Sequence, residues 1–111
     1  MAKPAGSKGT QYLYLTTTGR RTGRPREIEI WFTRRGRRYY LVAERRERTH
    51  WVQNLERVPR VRVRVGRRAF TATARVVGAK AEPELVKAVK KLSEKKYGWG
   101  DGLVVELEPA R

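Results

Sequence analysis

The sequence has 111 residues, with 27 Lys and Arg against 11 Asp and Glu and a formal net charge of +16. This length indicates a single domain with a modest core, and the absence of cysteine excludes disulfides and thiolate chemistry. The N-terminus has no apolar targeting segment, and no run approaches the ~18 apolar residues of a membrane-spanning helix, so we expect a cytoplasmic protein whose first candidate partners are polyanions.

The chain begins with a polar segment and then turns into a strand. Residues 1–10 lack periodicity, so we predict a flexible N-terminal arm followed by one domain, residues 11–111. Residues 11–17 alternate aromatic and aliphatic side chains, which indicates a β-strand. Both faces of this strand are apolar, which is typical of a barrel strand that meets the core on one side and a helix or second subunit on the other.

A basic loop, residues 19–26, joins this strand to the next. It is longer than the roughly two to five residues that most hairpin loops need. Its glycines let backbone N–H groups approach an anion, and arginine forks match phosphate and carboxylate oxygens. The loop is therefore a candidate anion site, built from Gly19, Arg20, Arg21, Gly23, Arg24 and Arg26.

The second predicted strand, residues 26–33, places Ile28, Ile30 and Phe32 on one face and Trp31 on the other, with Glu27 and Glu29. An outward Trp31 indicates either a dimer contact or barrel plug, or the wall of a ring-binding pocket. A glycine turn and a third strand, residues 39–43, complete a predicted meander.

Charged residues 44–48 have no β pattern and should leave the barrel. Thr49 is a predicted N-cap for a helix from His50 to Arg57. Within it Trp51 is predicted to anchor the core, with a direct ligand contact as the alternative. His50, the single histidine, is interpreted as helix surface, and we expect no metal site.

Sequence patterns in the second half of the chain predict three more strands and a helix. Residues 60–65 alternate inward valines with outward arginines, and residues 68–77 and 103–107 also alternate. A helix begins at Pro83 with Glu82 or its neighbour as cap, and Leu85, Val86, Val89 and Leu92 form its apolar stripe. The aromatic, glycine-rich residues 97–102 are either a plain connection or a hinged lid. Six strands and two helices indicate a mainly β (α+β) fold, a small β-barrel with helical additions.

Three segments in order resemble the deazaflavin (coenzyme F420)-dependent nitroreductase and quinone reductase family. Residues 15–26, LTTTGRRTGRPR, are similar to its L-T-T-x-G-R-x-[ST]-G-x-x-R signature. Residues 51–55, WVQNL, and 59–63, PRVRV, are similar to the W-x-x-N-L helix and P-x-V-x-V strand that follow it. Residues 44–48 depart from the family, which usually has a small, glycine-containing segment there.

The resemblance implies a six-stranded split β-barrel of the FMN-binding type, like flavin reductases and pyridoxamine-phosphate oxidases, usually as a homodimer. It implies an oxidoreductase with coenzyme F420, or alternatively FMN, that transfers a hydride to a quinone, nitro compound or other electron-poor acceptor. The expected cofactor-binding residues are Gly19, Arg20, Arg21, Gly23, Arg24, Arg26, Trp31, Arg45 and Trp51.

Individual roles follow from the same resemblance. Arg21 and Arg26 match the family's two basic positions for the cofactor phosphate, and Arg45 aligns with another basic residue near it. Arg20 and Arg24 are expected to support the anionic tail. Tyr97 is the candidate catalytic residue, donating a proton or hydrogen bond to the acceptor.

A second class of function is consistent with the high positive charge of the chain but does not account for the three family motifs. Arginine-lined strand faces with exposed aromatic rings are typical of an electrostatic groove with stacking platforms for nucleic acid. The alternative is thus a small, basic, non-catalytic β-barrel that binds nucleic acid. If nucleic acid is only an opportunistic partner, its binding should be sequence-independent and should collapse as salt rises.

Overall fold

The computed structural model describes residues 12–45 and 48–110, so the predicted N-terminal arm and residues 46 and 47 of the charged segment lie outside it. Seven strands and two helices follow one another along the chain. They are β1 (Tyr12–Thr18), β2 (Pro25–Trp31), β3 (Thr33–Arg35), β4 (Arg38–Ala43), α1 (His50–Arg57), β5 (Arg60–Val65), β6 (Arg68–Val77), α2 (Pro83–Tyr97) and β7 (Leu103–Pro109). Within the described residues, no helix is both long and apolar enough to cross a membrane.

The strands form one antiparallel sheet in the order β2-β1-β5-β6-β7-β4-β3. The two edge strands, β2 and β3, are consecutive in the chain and are separated only by Phe32. Together they act as one bent strand, whose first half pairs with β1 and whose second half pairs with β4. The predicted six strands are therefore present, and the predicted meander is confirmed, with the second strand broken at one residue. The fold is a split β-barrel with two helices.

The bend at Phe32 is held by helix α2. The hydroxyl of Tyr97 accepts a hydrogen bond from the Phe32 N–H at 3.0 Å and donates one to the Phe32 carbonyl at 2.8 Å. Lys96 Nζ donates to the same carbonyl at 2.8 Å and lies 4.0 Å from the centre of the Phe32 ring. Buried backbone groups need such partners wherever a ladder is interrupted. The last turn of α2 therefore replaces the missing strand partner.

Alternating side chains fill the barrel as the sequence predicts. Val61 and Val63 of β5 are 2% exposed, and Leu13 and Leu15 of β1 are fully buried. Helix α1 closes one end of the barrel through buried Val52 and Leu55. Its bounds, His50 to Arg57, are those predicted, but Thr49 makes no side-chain cap hydrogen bond. Thr49 therefore occupies the predicted N-cap position, but its side chain does not cap the helix.

Helix α2 packs on the outside of the barrel. Its predicted stripe is buried at Val86 and Val89, which contact Val77 and Val104 of the sheet in a second apolar cluster. Glu82 occupies the N-cap position without a side-chain cap bond, because its carboxylate is held by Arg75. Glu82 is therefore the N-cap residue, as predicted, but its side chain anchors the helix to β6 instead of capping it.

Candidate functional site

A cleft of ≈ 810 Å³ opens where β2 ends, beside the end of β4, the start of α1 and the end of α2. Seven aromatic residues line it, among them Trp31, Trp51, Tyr97 and Trp99. A cleft of this size, lined by rings with a few polar groups, is typical of small-molecule and cofactor sites. The fold therefore brings together the predicted residues Trp31, Arg45, Trp51 and Tyr97.

The flattest wall of the cleft is a stacked pair of rings. Trp31 and Tyr97 lie with centroids 4.4 Å apart and planes 3° from parallel. The Trp31 side chain is 39% exposed. Tyr97 is more deeply placed, and its burial raises the pKa of its hydroxyl to about 12. Because the hydroxyl proton of Tyr97 is donated to Phe32, Tyr97 presents its ring to this wall. Trp51 is half-buried and packs against the core, which confirms its predicted core contact. It also lines the cleft, and a direct ligand contact there stays a prediction.

Two threonine hydroxyls in the cleft are buried without a partner. Thr33 of β3 is 5% exposed, and Thr49 precedes helix α1. Neither Oγ1 atom has a hydrogen-bond partner among the described residues, and both residues line the cleft. An unsatisfied buried hydroxyl costs about 1–3 kcal/mol. Because protein atoms cover both hydroxyls, each side chain must rotate before its hydroxyl can hydrogen-bond a ligand in the cleft.

Sequence reasoning missed both hydroxyls as site residues. Thr33 was assigned to a strand end and Thr49 to a helix cap, which are ordinary places for threonine. No local sequence signal marks a hydroxyl as partnerless, because that state depends on the packing of distant elements.

The segment that was considered as a hinged lid is a close-packed connection. Helix α2 includes Tyr97 and ends at Gly98, whose φ of 77 is left-handed. The Ser93 hydroxyl donates to the Trp99 carbonyl at 2.6 Å, and a Cβ on Gly100 would lie 2.5 Å from the Lys90 carbonyl oxygen. Trp99 is thereby fixed on the side of the cleft, which favours the connection over the lid.

The basic loop closes on itself at the far end of the β1–β2 hairpin. Gly19 N–H donates to the Arg24 carbonyl, and Gly23 N–H donates to the Gly19 carbonyl, each at 2.8 Å. A Cβ on Gly19 would lie 3.1 Å from both the Arg24 carbonyl and the Thr22 hydroxyl. Gly23 has a φ of 74, which side chains rarely adopt. Both signature glycines are therefore required by the shape of the loop.

Asn54 of helix α1 fastens this loop to the barrel. Its Oδ1 accepts hydrogen bonds from the Arg20 backbone N–H at 3.2 Å and from Arg20 Nη1 at 2.8 Å. Its Nδ2 donates to the Thr17 hydroxyl at 3.2 Å, and Arg20 Nη2 lies 3.3 Å from His50 Nδ1. Arg20 thus faces the helix and braces the loop. His50 is exposed, as interpreted from the sequence, and it contacts the loop.

The other three loop arginines face solvent. Arg21, Arg24 and Arg26 are exposed, and within the part of the chain that the structure describes no carboxylate forms an ion pair with them. A smaller cleft of ≈ 400 Å³ adjoins the loop, lined by Gly23, threonine hydroxyls and outward arginines of β5 such as Arg62. This end of the barrel can therefore receive an anion.

The cleft and the basic loop lie toward opposite ends of β2. Five residues of extended strand separate Arg26 from Trp31, a distance of about 17 Å. Helix α1 lies beside both features. Thr49 and Trp51 line the cleft. His50 and Asn54 contact Arg20 of the basic loop. Arg45 adds a positive charge to the lining of the cleft. A ligand with a planar end and an anionic end matches this arrangement.

Comparisons with known proteins bear on the fold and the family separately. HutZ, the heme storage protein of Vibrio cholerae, superposes with a TM-score of 0.73 at 20% identity, over 91% of this chain and 82% of that chain. An F420-H2 dependent reductase, FDR-A, superposes with a TM-score of 0.73 at 22% identity, over 88% of this chain and 94% of that chain. A structure described as a domain-swapped dimer superposes with a TM-score of 0.70 at 22% identity, over 88% of this chain and 80% of that chain.

Structures at such low identity share the fold alone with this protein. The family is shown by a different observation. The model of the F420H(2)-dependent quinone reductase family matches residues 5–101, which include the basic loop, helix α1, helix α2 and the aromatic cleft. This chain belongs to the F420H(2)-dependent quinone reductase family.

Proposed function

We propose that the protein is an oxidoreductase that binds coenzyme F420 with its ring in the aromatic cleft and its phosphate and acidic tail at the basic loop. When bound in reduced form, this cofactor supplies a hydride from C5 of its ring to a quinone, nitro compound or similar electron-poor acceptor. The single observation that carries the proposal is the aromatic cleft, with its flat wall of Trp31 and Tyr97.

The residues of the cleft fit a polar-edged planar ring. The Trp31 and Tyr97 pair supplies a flat surface. Once their side chains rotate toward the cleft, the buried hydroxyls of Thr33 and Thr49 supply hydrogen bonds to ring-edge oxygen or nitrogen atoms. Trp51 and Trp99 restrict the access of water to the same space. FMN shares the ring and phosphate chemistry and is the alternative cofactor.

The basic loop provides the charge that the other end of the ligand needs. Arg21 and Arg26 are assigned to the phosphate, Arg24 to the acidic tail, and Arg45 to charge neutralisation nearer the ring. Arg20 supports them from behind through Asn54. Tyr97 was expected to donate a proton to the acceptor. Its hydrogen bond to Phe32 opposes that role, so we assign it the ring wall.

A homodimer with the cofactor site near the subunit contact is part of the proposal. Tyr12 and Trp31 are 41% and 39% exposed, and both line the cleft, so a second copy would cover apolar surface at the site. The similarity to a domain-swapped dimer supports this association. Nucleic-acid binding through net charge stays a prediction, since the loop and cleft together favour a small anionic ligand.

The test is a fluorescence titration of the purified protein with coenzyme F420 and, separately, with FMN. Each charge-assisted hydrogen bond contributes about 1.5–3 kcal/mol, so Arg21→Ala plus Arg26→Ala should weaken cofactor binding by at least about tenfold. Arg35→Ala plus Arg37→Ala is the matched control, because Arg35 at the end of β3 and Arg37 in the turn after it are exposed and lie outside both clefts.

Two outcomes would overturn the assignment. One is that neither cofactor binds the parent protein below about millimolar concentration. The other is that both double variants weaken binding equally, which would make the loop part of a general positive surface.

A further inference from the structure

Hydroxyl groups in the lining of the aromatic cleft differ in how far they are committed within the chain. Among the described residues, six with a side-chain hydroxyl line the cleft, namely Tyr12, Thr33, Tyr40, Thr49, Ser93 and Tyr97. A quinone that accepts a hydride becomes an oxyanion and must then take up a proton, for which a positioned hydroxyl is a suitable donor. The assignment of Tyr97 to the ring wall leaves that donor unnamed.

Three of the six hydroxyls already donate their proton within the protein. The Ser93 hydroxyl donates to a backbone carbonyl at 2.6 Å. The Tyr40 hydroxyl donates to the Glu106 carboxylate at 2.8 Å, and the Tyr97 hydroxyl donates to the Phe32 carbonyl at 2.8 Å. Because a hydroxyl has one proton to donate, each of these groups would have to break an internal hydrogen bond before it could serve an acceptor.

Two more hydroxyls are covered by protein atoms. The Oγ1 atoms of Thr33 and Thr49 are buried, so their side chains must rotate before they meet a ligand. Tyr12 differs from all five. Its side chain is 41% exposed, and its hydroxyl makes no hydrogen bond to another described residue. Within the described part of the chain, Tyr12 therefore carries the one cleft hydroxyl that is both exposed and uncommitted.

Tyr12 lies beside the flat wall of the cleft. It pairs with Trp31 across β1 and β2, an arrangement that places the two Cβ atoms about 5 Å apart. Trp31 in turn stacks on Tyr97. Burial is the main cause of the raised pKa of Tyr97, and the electrostatic effect of the Tyr12 phenol adds to it, so the two phenols lie near each other. The Tyr12 hydroxyl is therefore at the edge of the surface assigned to planar ligands.

We propose that Tyr12 is the catalytic proton donor of this site, and that its hydroxyl hydrogen-bonds an oxygen atom of a quinone acceptor. This inference rests on the proposed function and deepens it by naming the residue that completes the reduction. When the quinone has accepted a hydride, the O–H bond of Tyr12 breaks and its proton forms an O–H bond on the hydroquinone oxyanion. Water then returns a proton to the tyrosinate. Two electrons and two protons pass from reduced cofactor to quinone overall, one of the protons through water.

Other polar groups of the cleft do not replace Tyr12 in this role. Glu29 and Glu44 carry carboxylates, which only accept hydrogen bonds when ionised, and Arg45 can attract the oxyanion but does not release a proton. The donor and the product are both phenols, so the proton passes between groups of similar acidity. A second copy beside the cleft, as in the proposed function, would exclude water and so strengthen the hydrogen bond to the oxyanion.

Tyr12→Phe tests this role, because it keeps the ring and removes only the hydroxyl. Tyr14→Phe is the matched control, since Tyr14 lies two residues along the same strand, has Arg64 over its ring at 4.1 Å and lines neither cleft. With reduced coenzyme F420 and menadione, kcat/KM of Tyr12→Phe should fall by about 100-fold or more, the usual contribution of a general acid. The control should match the parent.

A second acceptor separates proton donation from a packing role. N-methylphenazinium is a planar cation that becomes neutral when it accepts a hydride, so its reduction needs no proton from the protein. Tyr12→Phe should therefore reduce N-methylphenazinium as fast as the parent does. If the hydroxyl only supported the packing of the aromatic wall, its removal would slow the reduction of both acceptors together.

Binding of the acceptor gives a readout that does not depend on turnover. With oxidised coenzyme F420 in the site no hydride is available, so the dissociation constant of menadione can be measured by quenching of tryptophan fluorescence. Loss of one neutral hydrogen bond should weaken menadione binding roughly 2- to 12-fold in Tyr12→Phe. The affinity for coenzyme F420 should stay unchanged, because the hydroxyl is assigned to the acceptor.

Three results would overturn the assignment of Tyr12. They are menadione reduction by Tyr12→Phe at the rate of the parent, an equal loss of rate with both acceptors, and a weaker affinity for coenzyme F420, which would place the hydroxyl on the cofactor. Failure of the proposed function gives a different result. The parent itself would then bind no coenzyme F420 and reduce neither acceptor, which would remove the basis of this role as well.

Discussion

Replacing the two partnerless hydroxyls should change stability and ligand affinity in opposite directions. Thr33→Val and Thr49→Val keep the shape of each side chain and remove only the hydroxyl. Because neither Oγ1 atom has a partner among the described residues, each change removes an uncompensated buried polar atom. Thr49 makes no capping bond that valine would lose, and valine suits a strand at position 33. We expect the free energy of unfolding of the ligand-free protein to rise by about 1 kcal/mol for each change.

The same substitutions should weaken cofactor binding. A neutral hydrogen bond contributes about 0.5–1.5 kcal/mol net, so each valine should reduce affinity roughly 2- to 12-fold. Urea unfolding without cofactor measures the first effect, and a fluorescence titration with coenzyme F420 measures the second. Thr73→Val is the matched control, because Thr73 is exposed on β6 outside both clefts and should leave affinity unchanged.

The opposite signs make this reasoning easy to refute. A residue with a purely structural role would lose stability and affinity together when it is changed. Valine variants that are less stable without ligand, or that bind the cofactor as tightly as the parent, would show that these hydroxyls are satisfied within the protein and do not contact the ligand.

Two further predictions follow from the buried polar contacts. Asn54→Ala removes two hydrogen bonds to Arg20 of the basic loop and one to Thr17 of β1, and it should lower the unfolding free energy by about 2–3 kcal/mol in urea titration. It should also weaken F420 binding, whereas unchanged stability would mean that the loop is held elsewhere. Stability should also fall at both pH extremes. Burial alone would raise the pKa of Glu106, but hydrogen bonds from Arg75 and Tyr40 outweigh burial and hold that pKa below the ordinary 4.5. The stabilisation that ionised Glu106 gives the folded protein is therefore present above pH 4.5 and is lost as the pH falls through the lowered pKa. Burial raises the pKa of Tyr40 and Tyr97 from 10.0 to about 12, so their contribution is complete below 10 and is lost as the pH rises toward 12. Unfolding measured across pH should show both limbs, and Glu106→Gln should flatten the acid one.

Local patterns were sufficient for the strands and for helix α1. The alternation of valine and arginine on β5 gave the correct inner and outer faces, because a strand with one buried face has only one favourable register. The break at Phe32 could not be predicted, since the hydrophobic pattern runs through it without interruption. What interrupts the strand is Tyr97, 65 residues away in sequence.

The candidate site also divides into features that local sequence predicts and features that depend on distant contacts. Glycine spacing and arginine density marked the basic loop, and the family resemblance placed Trp51 and Asn54 in register with it. The turning of Arg20 toward the helix depends on a contact 34 residues away, and the unsatisfied state of Thr33 and Thr49 depends on the packing of several elements. Such properties belong to the assembled barrel and have no local signature.

The bend at Phe32 has a consequence for the opening motions of the barrel. One residue links the two halves of the bent strand, and its amide hydrogen is covered by the hydroxyl of a helix end rather than by a neighbouring strand. Release of the last turn of α2 would expose that amide to solvent while the β1–β2 and β3–β4 ladders remain paired. Hydrogen exchange at the Phe32 amide should therefore report the detachment of this helix end separately from global unfolding. Because Tyr97 also stacks on Trp31 at 4.4 Å, a ligand that stabilises the aromatic wall should slow exchange at this one position.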